Sequence, residues 1–245
     1  MTARQRADRL LVERGLFDSR AKAQAAIAAG LVSANYITVR KTSEMIAVNA
    51  RLRAKPAQPY VSRGGVKLAA ALDHFGFDPL GRVCLDVGAS TGGFTQVLLE
   101  RGAKLLYAID VGRGQLHESL RRRPEVVSLE ETDIRTFSPA RLDTRPDLVV
   151  IDVSFISLKL VLPPALALAK PSAQLIALIK PQFEAGRAAL KKGVVRDATV
   201  HAAVCDDIAA FTASLGWQVM GVIPSPIAGG DGNKEFLLGA KSPEL

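Results

Sequence analysis

The stretch Asp86-Val-Gly-Ala-Ser-Thr-Gly-Gly-Phe94 decides the fold of this chain. It follows the apolar run Val83-Cys84-Leu85, so a strand is succeeded by an acidic residue, a tight glycine turn and the start of a helix. Glycines let the backbone approach a ligand closely, and the N-terminus of the new helix favours an anionic group. The stretch predicts a cradle for a nucleotide-like cofactor, formed by Asp86, Gly88, Ala89, Ser90, Thr91 and Gly92.

Strands and helices alternate through most of the chain. Runs rich in Val, Ile and Leu predict strands near residues 82–87, 105–110, 125–129, 147–152 and 173–179. Such alternation is typical of a parallel sheet covered by helices on both faces. The last two runs, 216–223 and 234–239, are joined by Pro, Gly and Asp without a helix, which predicts an antiparallel hairpin. The expected class is α/β, with a parallel sheet whose last strand is antiparallel.

Carboxylates follow three successive strands. Asp110 ends the strand after Asp86 and is placed to bind ribose hydroxyls, as in dinucleotide-binding folds. Asp133 follows the third strand and could accept a hydrogen bond from an adenine amine. A single aspartate at such a place is as often a loop cap. Three at successive strand ends favour a cofactor site.

The turn also matches two other motifs. Gly88-Ala-Ser90-Thr-Gly92 spells G-x-S-x-G, the nucleophile turn of α/β hydrolases, but the late histidine that a hydrolase needs, His201, lies in a predicted helix. A dinucleotide-dependent enzyme is the second alternative, because Gly93 meets the third position of G-x-G-x-x-G although Ser90 occupies the second. No G-K-[ST] follows, which excludes a P-loop.

Four ionisable residues favour a chemistry other than that of a hydrolase or a dinucleotide-dependent enzyme at the edge where the predicted strands end. Lys67 begins an amphipathic helix, Asp152 and Lys180 end the fourth and fifth strands, and Glu235 begins the antiparallel last strand. Because that strand runs in the opposite direction, its start lies at the edge where the parallel strands end. Any one of these residues could be a solvated strand end. Together they predict a cluster of two lysines and two carboxylates beside the cofactor.

The first quarter of the chain carries most of the net charge of +8. Residues 1–60 hold 11 basic and 4 acidic side chains, an imbalance that offers an electrostatic footprint to phosphate backbones. The pattern predicts a helix around residues 10–12 ending at Gly15, a second over 20–29 ending at Gly30, and short strands near 32, 37–39 and 45–48. The basic residues at helix starts and at a turn, where phosphates could be reached, are Arg4, Arg6, Arg9, Arg20, Lys22, Arg40 and Lys41.

Composition limits the remaining classes. The charged N-terminus and the lack of a run of 18 apolar residues argue against a signal peptide and a membrane span, so we expect a cytoplasmic protein. Cys84 and Cys205 have neither metal-ligand nor disulfide spacing and are interpreted as buried apolar residues, and no metal site is expected. Residues 51–60, with two prolines and no periodicity, predict a linker between domains 1–50 and 61–245.

The N-terminal segment resembles the S4 RNA-binding domain. The resemblance rests on Arg6-Ala-Asp-Arg-Leu-Leu-Val-Glu-Arg-Gly-Leu-Phe-Asp-Ser-Arg-Ala-Lys-Ala, followed by Ala-Gly-Leu-Val-Ser-Ala-Asn, and covers about the first 50 residues. The S4 pattern usually has glycine after the asparagine, where this chain has Tyr36. Asn35 can take the left-handed conformation that the turn requires. The resemblance implies a small α+β RNA-binding domain before the sheet domain.

Nearly the whole chain resembles the TlyA family of S4-containing RNA 2′-O-ribose methyltransferases, related to FtsJ/RrmJ and often labelled hemolysin A. The motifs are Tyr60-Val-Ser-Arg-Gly-Gly-Val-Lys-Leu68, the turn at 86–94, Asp152-Val-Ser-Phe-Ile-Ser157, Lys180-Pro-Gln-Phe-Glu184, Lys192-Gly-Val-Val-Arg-Asp197 and Gly232-Asn-Lys-Glu-Phe236. The resemblance implies a Rossmann-like S-adenosylmethionine-dependent sheet, a tetrad at Lys67, Asp152, Lys180 and Glu235, and Phe155 beside the cofactor. It also implies ribosomal RNA as substrate and a cytidine ribose as target. The segment Pro56-Ala-Gln-Pro59 adds length to the short linker of the family.

The chemistry of the four residues fits this reaction independently. A ribose 2′-hydroxyl is a weak acid, so its attack on a sulfonium methyl needs a base and a held oxygen. We interpret Lys180 as that base in its neutral form, Lys67 as the neighbouring cation, and Asp152 and Glu235 as orienting groups. Further RNA contacts are expected from Arg63, Lys191 and Lys192, whereas Arg121-Arg-Arg123 is interpreted as a solvated surface.

Two other functions stay open at this point. A non-enzymatic ribosome-binding factor with a relic methyltransferase fold would not bind cofactor, and the intact turn argues against it. A membrane-lytic role has the least support, because the sequence offers neither a strongly amphipathic cationic helix nor an apolar span.

Overall fold

A computed structural model describes residues 3–56, 59–229 and 232–244. The chain divides into two compact units, Met1–Pro59 and Tyr60–Leu245.

The first unit combines two short helices with two small antiparallel sheets. Strand β1 pairs with β4, and β2 lies between β3 and β5. The elements are β1 (Arg4–Arg6), α1 (Ala7–Glu13), α2 (Arg20–Ala28), β2 (Val32–Ala34), β3 (Ile37–Thr38), β4 (Met45–Ala47) and β5 (Leu52–Ala54).

Local sequence explains the two helices. Gly15 and Gly30 follow them with φ of +68° and +70°, the left-handed conformation that ends a helix and that glycine adopts without strain. Ser19 caps α2, because its side chain accepts a hydrogen bond from the backbone N–H of Lys22 at 3.3 Å. Both helices bury apolar residues in one core, among them Leu11 and Ile27. The predicted order of two helices and short strands is therefore present.

The predicted linker differs from the structure. Residues 52–54 form β5, which pairs with β2, so the first unit continues past residue 50. The stretch has prolines and little periodicity, but a three-residue strand is too short to show a period. Ala57 and Gln58 of the added segment lie outside the described residues.

The second unit contains the predicted strands: the five parallel ones lie within one residue of their expected bounds, and the two hairpin strands within two. Its elements are α3 (Gly64–Phe75), β6 (Val83–Val87), α4 (Gly93–Glu100), β7 (Leu105–Ile109), α5 (Glu118–Arg121), β8 (Val126–Leu129), β9 (Leu148–Ile151), α6 (Leu158–Ala167), β10 (Gln174–Ile179), α7 (Pro181–Glu184), α8 (Ala198–Ser214), β11 (Gln218–Pro224) and β12 (Phe236–Lys241).

These strands form one seven-stranded sheet in the order β11-β12-β10-β9-β6-β7-β8. Neighbours from β10 to β8 are parallel, and β12 is antiparallel to both β10 and β11. The prediction of a parallel sheet with an antiparallel last strand is confirmed. Strands β9 and β10 are buried throughout, because helices cover both faces of the sheet.

Two further expectations can be compared with the structure. Cys84 is buried in β6 as expected, but Cys205 is half-buried on α8 rather than enclosed in the core. Within the described ranges, no helix is both long and apolar enough to cross a membrane.

Candidate active site

The turn after β6 needs its glycines. Gly88 and Gly92 have φ of +83° and +99°, and a Cβ on Gly88 would collide with the backbone carbonyl oxygen of Asp152. Ser90 also adopts a positive φ, +48°, which is uncommon for a residue with a side chain. The tight turn therefore brings the backbone of the β6–α4 connection against the end of β9. Helix α4 begins directly after it, at Gly93.

Asp86 is fully buried at the end of β6 and only partly bonded. Its Oδ2 accepts a hydrogen bond from the Thr95 hydroxyl at 2.7 Å, whereas its buried Oδ1 has no hydrogen-bond partner among the described residues. Burial raises the pKa of Asp86 to about 7, and the nearby Asp152 and Asp110 carboxylates add repulsion. A buried carboxylate with an unused oxygen beside other carboxylates is suited to a positively charged ligand.

Asp110 ties the turn to the end of β7. Its Oδ2 accepts a hydrogen bond from the backbone N–H of Ser90 at 2.8 Å, and its Oδ1 accepts one from Gly112 at 2.7 Å. The carboxylate therefore lies at the cradle, as the sequence predicted. It shapes the cradle in addition to any contact with ribose.

Asp133 is engaged with a neighbour in the chain. It caps a short 3-10 turn by accepting from the backbone N–H of Arg135 at 2.9 Å, and the Arg135 guanidinium reaches its Oδ2 at 2.6 Å. Its expected contact with an adenine amine would share these oxygens with Arg135.

Phe155 lies in the connection after β9 with a φ of +64° and is 90% exposed. Its ring centroid is 5.0 Å from that of Phe183.

The sheet register brings three of the four predicted ionisable residues to one edge. Ile179 of β10 pairs with Phe236 of β12, so Lys180 and Glu235 are the adjoining residues at the same end of these strands. On the other side of β10, Ala177 pairs with Ile151, which precedes Asp152. Lys67 comes to this group from α3.

The four residues form two lysine–carboxylate pairs. Lys67 Nζ lies 2.5 Å from Glu235 Oε2, and both side chains are buried. Lys180 Nζ lies 2.6 Å from Asp152 Oδ1 and donates a hydrogen bond to the Ser154 hydroxyl at 2.8 Å. Ionised side chains are rarely buried without a function or a partner, and here each lysine has a carboxylate.

A cavity of about 170 Å³ joins the glycine turn to the second pair. It is lined by Ser62, Gly64, Gly88, Ala89, Ser90, Gly93, Phe94, Asp152, Ser154 and Lys180. None of these is a histidine. His201 is instead buried on α8, where its Nε2 lies 3.0 Å from the carbonyl oxygen of Val195. The hydrolase interpretation of Ser90 therefore lacks its base.

Sequence reasoning missed three polar residues of this site. Thr95 bonds the cradle carboxylate, Ser154 bonds Lys180, and Ser62 lines the cavity beside Gly93. Ser154 lies two residues after Asp152, close enough to have been suspected. Thr95 and Ser62 reach the site only through the packing of α4 and of the segment before α3, which no spacing reveals.

A wider cavity of about 650 Å³ lies between α8 and the β11–β12 hairpin. Glu235 lines it together with largely apolar neighbours, among them Val222 and Phe236. The edge that carries the ion pairs is thus open on the hairpin side as well.

The basic residues of the first unit fall into two groups. Arg6 and Arg20 bond the buried carboxylate of Asp8, at 3.1 and 2.8 Å, and Lys22 lies 2.8 Å from Asp18. Other basic side chains are exposed and have no ion pair among the described residues, and of the predicted RNA contacts these are Arg4, Arg9, Arg40 and Lys41. The first group stabilises the unit, whereas the second is available to an external anion.

In the second unit the candidate RNA contacts are also exposed. Arg63 donates to the carbonyl oxygen of Ala228 at 3.0 Å. Lys191 and Lys192 lie in a tight turn before Val194, with Lys192 at a φ of +55°. In the run at 121–123, Arg122 and Arg123 are engaged with Glu118 and Glu125, as expected of a solvated surface.

Comparison with known proteins identifies the family. The model of FtsJ-like methyltransferases matches residues 60–242, the range that contains the turn and both ion pairs. The chain belongs to the FtsJ-like methyltransferase family. This methyltransferase is 47% identical over 239 residues to a Bacillus subtilis protein provisionally named rRNA methyltransferase YqxC, covering 96% of this chain and 85% of that one.

Two more relatives extend over both units. The Mycobacterium tuberculosis 16S/23S rRNA (cytidine-2′-O)-methyltransferase TlyA is 44% identical, with 97% of this chain and 90% of that one covered. A solved Streptococcus thermophilus structure, provisionally described as a hemolysin, matches with a TM-score of 0.78 and 41% identity, covering 100% of this chain and 91% of that one.

The methyltransferase uses S-adenosylmethionine, as its family does. The residues fit this cofactor. Its sulfonium and ammonium groups are positively charged, which suits the carboxylates of Asp86, Asp110 and Asp152, and a cavity of about 170 Å³ borders the glycine turn. Within the described part of the chain, no cluster of His, Cys, Asp and Glu could hold a metal ion.

Proposed function

We propose that the enzyme methylates a ribose 2′-hydroxyl of ribosomal RNA, with a cytidine ribose as the target, and that Lys180 is the base. The observation that carries this proposal is the two lysine–carboxylate contacts, each with a buried lysine, at the edge where the cofactor turn lies. Support for the substrate comes from the relatives, two of which carry rRNA methyltransferase names.

The side chains around Lys180 suit proton removal from a hydroxyl. Lys180 lines the cavity beside the glycine turn, and its Nζ is held by Asp152 and by the hydroxyl of Ser154. In its neutral form the amine accepts the 2′-hydroxyl proton at Nζ, while Asp152 and Ser154 fix its position. A fixed base near the reacting oxygen lowers the entropic part of the barrier.

The Lys67–Glu235 pair would orient the ribose. Both side chains are buried, so the attraction between them is little screened by solvent. When bound, S-adenosylmethionine supplies an electrophilic methyl group. Asp86, the turn at Gly88–Gly92, Asp110, Asp133 and Phe155 are the residues proposed to hold it.

The first unit is proposed to be an S4 RNA-binding domain and the second the catalytic domain. The unpaired basic side chains of the first unit, with Arg63, Lys191 and Lys192 of the second, would bind phosphates of the ribosomal RNA. Such a substrate is met in the cytoplasm, where we place the enzyme.

The proposal is tested by incubating the full chain with methyl-labelled S-adenosylmethionine and isolated ribosomal subunits. A methyl group on the 2′-oxygen blocks alkaline cleavage of the next phosphodiester bond, because that cleavage requires the free 2′-hydroxyl. We expect the label in alkali-resistant dinucleotides whose 5′ nucleoside is cytidine.

Each alternative outcome is distinct. Label in alkali-sensitive mononucleotides would show base methylation and refute the ribose target. Label in resistant dinucleotides with another 5′ nucleoside would refute the cytidine target but not ribose methylation. Cofactor binding without transfer to either subunit would contradict ribosomal RNA as the substrate.

A further inference from the structure

An aromatic ring lies at the tip of the β2–β3 hairpin in the first unit. Tyr36 is 67% exposed, in a unit whose other apolar and aromatic side chains mostly fill the core. Its backbone has a φ of +68° and follows Asn35 at +48°. Two successive positive φ values define the tight hairpin turn that normally takes Asn-Gly.

This conformation is strained for tyrosine. A residue with a Cβ loses about 1–2 kcal/mol in the left-handed region, where glycine loses nothing. Glycine at position 36 would form the same turn without that loss. The ring does not enter the core, so neither the turn conformation nor burial of apolar surface explains it.

Two arginines flank the ring. Arg51 donates from Nη1 to the Tyr36 hydroxyl at 2.6 Å, and its guanidinium carbon lies 5.4 Å from the ring centroid. The guanidinium carbon of Arg53 lies 5.3 Å from the same centroid. Because they are two residues apart along an extended segment, both arginines project from one face of the small sheet.

The two guanidinium groups have no acidic partner. Both arginines are exposed, and no carboxylate of the described residues lies within ion-pair distance of either. This distinguishes them from Arg6 and Arg20, which bond Asp8. An exposed ring beside two uncompensated cations is an arrangement that stacks bases and attracts phosphates.

We propose that Tyr36, Arg51 and Arg53, named here the hairpin platform, bind an unpaired nucleotide of the RNA, with its base stacked on the Tyr36 ring and its phosphate at the guanidinium groups. The platform rests on the proposed function in that it requires RNA as partner. It adds that the first unit recognises a single-stranded or extruded nucleotide and not only a duplex backbone.

The test compares variants of the full chain in binding a short fluorescein-labelled single-stranded oligoribonucleotide and the same strand annealed to its complement. Tyr36→Gly removes the ring and relieves the backbone, so the fold is preserved. We expect it to weaken single-strand binding by about 5- to 140-fold, the loss of one stacked base. Duplex binding should change by less than about twofold, because a paired base offers no free face.

Three variants isolate the ring. Tyr36→Phe keeps the stacking face and should bind the single strand within about twofold of the parent. Ile37→Thr alters the adjacent exposed side chain, is compatible with a strand, and should bind like the parent. Arg53→Ala should lower the slope of log K against log salt by about 0.7 on the single strand, whereas Tyr36→Gly should leave that slope unchanged.

Equal single-strand affinity of Tyr36→Gly and the parent would overturn the platform, as would an equal loss on single strand and duplex. Methyl transfer to ribosomal subunits, measured on the same preparations, separates the two proposals. A parent that transfers methyl groups while Tyr36→Gly binds normally refutes the platform alone. A parent that transfers none, yet needs Tyr36 to bind the single strand, refutes the proposed reaction alone.

Discussion

Each unit of the protein buries an aspartate, and the two carboxylates differ in their hydrogen bonding and in the direction in which their pKa is shifted. Asp8 in the first unit accepts from Arg6 through both oxygens, from Arg20 at 2.8 Å and from Gln24 at 2.9 Å. These contacts hold its pKa well below the usual range. Asp86 in the second unit has one hydroxyl donor and an unused oxygen, and burial raises its pKa to about 7.

The difference separates structure from function. A buried carboxylate costs free energy unless its lone pairs are used, so complete bonding at Asp8 stabilises the fold that contains it. Incomplete bonding at Asp86 is a cost that the fold alone does not offset. A cationic ligand would offset this cost, which agrees with the cofactor-binding role proposed for Asp86.

The largest effect is expected from Lys180→Ala, which removes the proposed base. Methyl transfer should fall by about 10²- to 10⁴-fold, the usual contribution of general base catalysis. Affinity for S-adenosylmethionine, measured by calorimetry, should stay near that of the parent. The matched control is Lys170→Ala, because Lys170 forms a comparable 2.8 Å pair with Asp147 just before the same strand. Near-normal transfer by Lys180→Ala would refute its role.

The second prediction concerns Asp86→Asn and has a defined pH sign. The folded pKa is about 7 and therefore above the unfolded value, so parent stability falls as pH rises between about 4 and 7. The amide cannot ionise, so the free energy of unfolding of the variant should rise relative to that of the parent over that interval, by roughly 1–4 kcal/mol at most. Urea unfolding at several pH values measures this gain. Parallel curves for the two proteins would contradict the raised pKa, and cofactor binding should weaken in the variant.

Asp8→Asn should show the opposite sign. Because the folded pKa lies below the unfolded one, the carboxylate stabilises the first unit above about pH 4, and this contribution is lost as pH falls. At neutral pH the variant should lose about 1–3 kcal/mol of unfolding free energy, discounted because both arginines are partly exposed. Glu13→Gln, at an exposed contact with Gln5, is the control. If the unfolding free energy of Asp8→Asn stays below that of the parent in acid, lost packing and not lost charge is responsible.

The smallest effect distinguishes paired from unpaired arginines. Arg9→Ala should lower RNA affinity modestly on every sequence and reduce the salt slope by about 0.7–0.9, the loss of one phosphate contact. Arg20→Ala should mainly reduce stability, because its guanidinium bonds Asp8. Salt titrations of binding, together with thermal unfolding, compare the two. The distinction fails if Arg20→Ala changes the salt slope as much as Arg9→Ala does at equal stability.

Much of the fold could be predicted because its signals are local. The strands of the sheet are continuous apolar runs, and such a run can be recognised without knowing which distant residues it pairs with. β5 was assigned to a linker because three residues carry no period and its partner, β2, is some twenty residues away. β1 was missed for the same reason, since it pairs with β4 across both helices.

The sequence by itself determined which residues reach the functional edge. The order of strands places Asp86, Asp152 and Lys180 at the carboxyl ends of parallel strands, and the antiparallel hairpin returns Glu235 to them. Only the tertiary structure decided which groups neutralise each other. Lys67 pairs with Glu235, Lys180 with Asp152, and Arg6 and Arg20 with Asp8, while Asp86 keeps an unused oxygen. The physical reason is that ion pairing and desolvation depend on distances of a few ångströms and on exclusion of water, which the spacing of residues along a chain does not specify.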